Sequence, residues 1–195
     1  RRRAESAKAA QVIGVECEVL EADDGRLEPT LDHRLDMIRR IRRLAPDLIL
    51  THRPNDYHPD HRYTSILVQD SAYVVTVPLI CPDTPRLEAN PVIAFLQDDF
   101  KKPWPFTPDV VVDVDTVMDK KWEMLHAHTS QFYEWLPYID GNARDVPAAD
   151  EARRAWLEKH WGPRLEAVAH RHRDQLARRY GADHGGADLG HPSRL

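Results

Sequence analysis

With 195 residues, 42% of them hydrophobic and 30% charged, the chain has the make-up of a water-soluble globular domain long enough to build its own core. A formal net charge of −5 argues against a general nucleic-acid binder, and no apolar run approaches the ~20 residues of a membrane-spanning helix. Two cysteines, Cys17 and Cys81, make no disulfide framework and point to a reducing, cytoplasmic setting.

The chain begins with Arg1 and already reads as helix, so it is expected to start inside an element. Residues 1–13 form that helix, and Gly14 suits its C-terminal cap. Val15, Cys17 and Val19 alternate with Glu16 and Glu18, the pattern of a half-buried strand to Leu20. Asp23-Asp24-Gly25 signals a turn. Thr30 can cap a helix to about Ala45, with Leu31, Leu35, Ile38, Ile41 and Leu44 at helical spacing. Arg34, Arg39, Arg40, Arg42 and Arg43 fall between those positions and read as a solvated face. Pro46 ends the helix. Leu48-Ile49-Leu50 is a short apolar run typical of a strand in a parallel sheet.

After that strand comes a polar loop, and a helix opens at Pro59. Tyr63, Ile66, Leu67 and Val74 are its expected buried stripe. Val92 to Leu96 reads as a further strand. Lys101 to Pro108, with Trp104 and Phe106, is a stiff aromatic loop, read as packed onto the core, with a substrate lid as the alternative. Val110 to Val114 is read as a strand and Val117 to about Ser130 as a helix. Trp135-Leu136-Pro137-Tyr138 opens a loop. Helices at about 148–161 and 163–180 are divided by Gly162-Pro163. Residues 182–195 read as a disordered tail. Strands alternating with helices give an α/β class with a mainly parallel sheet, carried by a single domain over 1–181.

The chemistry concentrates where the strand at 48–50 ends, the position at which open α/β sheets place their sites. Asp56, His58, Asp60 and His61 lie within six positions. His58 and His61 are three residues apart at a helix start, so their side chains can face one region. Neutral imidazoles are common zinc ligands. Asp60 could hold one ring in a fixed tautomer, or could simply cap the helix. Asp56 could bind metal, bind a substrate hydroxyl, or tie the loop down through Arg53.

The stretch Thr51-His52-Arg53-Pro54-Asn55-Asp56-Tyr57-His58-Pro59-Asp60-His61-Arg62 resembles the second motif of the LmbE-like, or PIG-L, family of zinc-dependent N-deacetylases. Arg2 to Gly14 resembles the family's helix before its second strand. Asp113 through Lys121 to His128-Thr129-Ser130-Gln131 resembles its later strand–helix segment. The resemblance implies a Rossmann-like three-layer α/β/α fold and hydrolysis of an N-acetyl group on an amino sugar or glycoconjugate, with zinc polarising the amide and holding a water. By similarity His61 is a zinc ligand. His58 steadies the developing oxyanion, with Asp60 orienting it. Arg53, Asp56, Tyr57, His128 and Gln131 lie on the substrate side.

The family's first motif, His-Pro-Asp-Asp, does not occur in this sequence, and neither Asp23-Asp24 nor His191-Pro192 replaces it. The expectation is therefore an N-terminally incomplete enzyme whose first strand is missing. On its own, such a chain is expected to be inactive and not to hold zinc stoichiometrically. The expected partner is a small N-acetylated sugar, without nucleic acid or membrane, and a homo-oligomer stays open. Two other readings are a metallo-β-lactamase-like hydrolase, against which the downstream ligand candidates His126 and His128 fall on an expected helix rather than on loops, and a non-catalytic relative that binds a sugar or a partner.

Overall fold

A computed structural model describes residues 1–181, and the expected tail at 182–195 lies outside the described residues. The protein is a helix-rich α/β chain with a small parallel sheet. It divides into two compact units: Leu20–Asp109, and Arg1–Val19 with the described part of Val110–Leu195.

The 20–109 unit holds the sheet. Helix α2 (Leu31–Leu44) starts where the Thr30 side chain accepts from the His33 amide at 3.2 Å, the capping interaction expected of that residue. Asp32 in its first turn and Arg42 and Arg43 in its last complement the helix dipole. Strand β1 (Leu48–Thr51) runs parallel to β2 (Val92–Phe95), with Leu48 opposite Val92 and Thr51 opposite Phe95. Helix α3 (Pro59–Ala72) connects onward from β1. Its buried positions are Ser65, Leu67, Val68 and Ser71, so of the expected stripe only Leu67 is fully covered. The core gathers Ile38, Ile41, Val75 and Cys81, with Ile49 and Leu87 packed against them.

One arginine of the expected solvated face belongs to this core. Arg42 is 5% exposed. Its guanidinium donates to the carbonyls of Val74, Val75, Val77, Ile80, Cys81 and Thr84 at 2.6–3.3 Å. A buried charge is tolerated only when its donors are satisfied, and here backbone carbonyls satisfy them.

The other unit is helical. Helix α1 (Arg2–Ile13) ends at Gly14, whose φ of 70° gives the left-handed cap predicted for it. Helix α4 (Met118–Ala127) is followed by a wide π-type turn at Gln131–Trp135 and a short helix α5 (Leu136–Ile139), where a loop was expected. Helix α6 (Asp150–Arg171) runs through Pro163, and α7 (Arg173–Tyr180) follows. The expected break at Gly162-Pro163 is displaced to His172. Leu157, Trp161 and Leu165 lie on both sides of the proline and pack into one cluster with Trp122 and Tyr133, and that packing outweighs the hydrogen bond proline removes.

Two expected strands do not form. Residues 15–20 and 110–114 carry no ladder, and Val15, Val19, Val110 and Val112 are exposed. Apolar alternation favours an extended chain, but a strand also needs a neighbour for its amides and carbonyls.

Candidate functional site

The loop from Thr51 to His61 leaves the end of β1 and enters α3 through a cap made by His58. The His58 Nδ1 accepts from the Asp60 amide at 3.3 Å. Pro59 at the first helical position has no amide to satisfy. Asp56 turns the loop: one of its carboxylate oxygens accepts from the His58 amide at 2.9 Å and lies 3.0 Å from the His61 Nδ1. Arg62 closes the other side by donating to the carbonyls of Asp56 and Tyr57.

This architecture brings the two motif imidazoles together, with ring centroids 4.9 Å apart and planes inclined by 33°. His52 stacks flat on His61, at 4.1 Å and 4°. Burial, with the like charge of His61 beside it, draws His52 below the usual imidazole range, although Asp56 opposes this. Tyr57 stands edge-on to both His58 and His61.

Two groups of side chains could hold a metal ion. Ligand atoms of His52, Asp56 and His61 lie within 4.8 Å of one another, as do those of Asp24, His58 and Asp60. The Asp60 carboxylate accepts from the amides of Gly25 and Leu27, at 2.7 and 3.2 Å, and stands 3.9 Å from the His58 Nδ1. That is beyond hydrogen-bond reach, so the contact Asp60 makes with His58 here is through its amide. The other ring nitrogen of His58, Nε2, lies 3.4 Å from Asp24.

Arg53 is 5% exposed. Its guanidinium donates to Asp98 at 2.7 Å and to the Trp104 carbonyl at 2.8 Å, so it braces the 98–106 loop. His128 and Gln131 belong to the other unit. His128 ends α4, and its carbonyl accepts from the amides of Gln131 and Phe132. Between them, Ser130 donates from its amide to Glu5 of α1 at 3.1 Å.

Sequence reasoning left His52 and Asp24 out of the site. His52 had a local signal, since it follows directly on β1. Asp24 had none: only the folded chain carries it to His58.

Residues 1–72 match the family model described as PIG-L: GlcNAc-PI de-N-acetylase. The chain is similar to 4-oxalmesaconate hydratase from Pseudomonas putida, at 26% identity over 70% of this chain and 53% of that protein. It is similar also to diacetylchitobiose deacetylase from Thermococcus kodakarensis, at 27% identity over 71% of this chain and 54% of the other. It thus spans about half the length of the curated relatives it matches. Among solved structures, the N,N'-diacetylchitobiose deacetylase of Pyrococcus horikoshii shares the fold, with a TM-score of 0.65 at 21% identity, over 89% of this chain and 58% of that one. A conserved Thermus thermophilus protein matches with a TM-score of 0.55 at 25% identity, over 84% and 67% of the two chains.

Proposed function

We propose that the chain belongs to the LmbE-like, or PIG-L, family, a reading supported by the match of residues 1–72 and by the likeness to diacetylchitobiose deacetylase, and that the whole protein is a metal-dependent N-deacetylase acting on an N-acetylated amino sugar. The observation that carries the reading is the paired imidazoles of His58 and His61, 4.9 Å apart at the end of a parallel strand, with Asp56 fastening one of them. We extend the α/β architecture to a Rossmann-like three-layer arrangement as part of the same proposal. No helix among the described residues is long and apolar enough to cross a membrane. The cytoplasmic setting stays a proposal, supported by two cysteines that are both free thiols.

Zinc is the proposed metal. The imidazoles of His52 and His61 are donors that zinc accepts. Asp56 lies against Nδ1 of His61 and would orient that ring to offer Nε2 to the metal, the arrangement usual for a ligating histidine. When bound, the metal supplies polarisation of the amide carbonyl and a water acidic enough to attack at neutral pH. His58 does different work. Its Nδ1 accepts from the Asp60 amide, so in the neutral ring the proton sits on Nε2, and that N–H can donate to an oxyanion as it develops. Asp60 fixes the ring through its amide and fixes the 25–27 turn through its carboxylate.

The test is acetate release by the whole protein from N-acetylglucosamine glycosides. His58→Ala is expected to lower kcat by about 10²–10³ with metal content unchanged. His61→Ala is expected to lose the metal. His128→Ala and Gln131→Ala are assayed alongside for an effect on KM. Tight zinc binding without acetate release from any N-acetyl sugar would overturn the reading. The likeness to the Pseudomonas hydratase supports a second reading, in which water adds to a carbon–carbon double bond and no acetate appears.

A further inference from the structure

Phe100 has no part in the chemistry above, yet its ring faces the histidine loop. It stacks on Tyr57 at 6.1 Å and 9°. That spacing is too wide for a face-to-face sandwich and fits an offset pair, which leaves ring faces open. Tyr57 is 68% exposed and Phe100 36%. Tyr57 stands edge-on to both imidazoles, 5.8 Å from His58 and 5.5 Å from His61. The open aromatic surface is therefore continuous with the proposed reacting groups.

The loop that carries Phe100 is anchored from the motif itself. Arg53 donates to the Asp98 carboxylate and the Trp104 carbonyl, and its guanidinium lies over the Phe106 ring at 5.7 Å. Asn55 donates to the Lys102 carbonyl at 3.0 Å. Asp98 also accepts from the Phe100 amide at 3.0 Å. An exposed aromatic pair has little of its own to resist separation. Here a nearly buried guanidinium and an amide hold it, so the ring positions are set before any ligand arrives.

We propose that Tyr57 and Phe100 form an aromatic shelf that takes the C–H face of a pyranose ring and presents its acetamido group to the His58–His61 pair. This rests on the deacetylase reading and deepens it by naming the groups that recognise the sugar. A pyranose carries axial C–H bonds on one face and hydroxyls around its edge. The C–H groups are attracted to the electron-rich face of an aromatic ring. The hydroxyls need polar neighbours, and Asp56, Lys101 and Lys102 flank the two rings in sequence. Arg53 and Asp98 act as positioning residues through Phe100.

The experiment is ligand-observed NMR on the 195-residue protein with three probes: methyl N-acetyl-β-glucosaminide, methyl β-glucosaminide, and N-methylacetamide. Saturation is expected to pass to the ring protons of both glycosides. Phe100→Ala is expected to weaken both by roughly three- to tenfold, the worth of one aromatic contact, and to leave N-methylacetamide unaffected. Phe100→Tyr restores binding and Phe100→Leu does not. Asp98→Ala, which releases the Arg53 clamp while keeping both rings, is expected to reproduce the Phe100→Ala loss. No glycoside binding, or binding unchanged in Phe100→Ala or fully kept in Phe100→Leu, overturns the shelf. Phe100-dependent glycoside binding together with no acetate release by the whole protein overturns the deacetylase reading and leaves the shelf in place.

Discussion

Asp56 shows how much one carboxylate can organise. The same oxygen turns the loop, through the His58 amide, and orients His61, through Nδ1. It is nearly buried, with 8% of the side chain exposed, so its contacts are little screened by water. Asp56→Asn separates the two jobs. The amide oxygen still accepts from the His58 amide, so the turn survives. The charge beside His61 is lost, and with it the pull that keeps the proton on Nδ1. The expected outcome is a 10–100-fold fall in zinc affinity with little change in thermal stability, read by competition with a chromogenic chelator in the whole protein. Equal losses of affinity and stability would mean that Asp56 serves the loop alone.

At the scale of elements, Arg42 makes a helix and an irregular segment into one piece. Six carbonyls between Val74 and Thr84 lie around its three nitrogens. A guanidinium has five N–H groups, so at least one is shared. Arg42→Met keeps the apolar stem and removes every donor. Buried carbonyls left unpaired cost about 1–3 kcal/mol each, and with partial relaxation the expected loss is roughly 3 kcal/mol in urea unfolding. Arg42→Lys is expected to recover only part, because an ammonium lacks the planar fork. An unchanged midpoint in Arg42→Met would show that the 74–84 segment stands without the anchor. None of this could be read from the sequence, where Arg42 looks like its exposed neighbours in a basic run. What was legible was local: the Thr30 cap, the Gly14 cap, the β1 run and the entry to α3 at Pro59 each need only nearby residues. The strands read at 15–20 and 110–114 failed for the opposite reason, since a ladder depends on a partner that local alternation cannot announce. The site divides in the same way. The motif itself placed His58 and His61 side by side, whereas Asp24 reaches His58 only through the path of the whole 20–109 unit.

At the scale of the whole molecule, two groups in the helical unit tie stability to pH at opposite ends of the range. Glu5 is buried, which by itself raises its pKa. Hydrogen bonds from the Ser130 hydroxyl and amide, with the charges of Arg1 and His128, outweigh that and hold it below the ordinary value of 4.5. The folded state therefore releases the proton more readily than the unfolded state. Its contribution is fully present above pH 4.5 and drains away as pH falls through the depressed folded value. Tyr133 works in the opposite direction. Burial, with the charge of Asp150, pushes its phenol up from 10 to about 12. The folded state now keeps the proton longer, so this contribution is complete below pH 10 and is lost as pH climbs from 10 through 12. Four of the five tryptophans, all but Trp104, lie in this unit, so tryptophan fluorescence during urea unfolding reports on it. The unfolding midpoint is expected to fall at both ends. Glu5→Gln should flatten the acid limb and leave the alkaline one. Tyr133→Phe should flatten the alkaline limb, at a constant cost of about 1 kcal/mol for the hydrogen bond lost to His126. An acid limb that survives Glu5→Gln would assign it to other carboxylates, and the Glu5–Ser130 link between α1 and the His128–Gln131 segment would then be a contact without energetic weight.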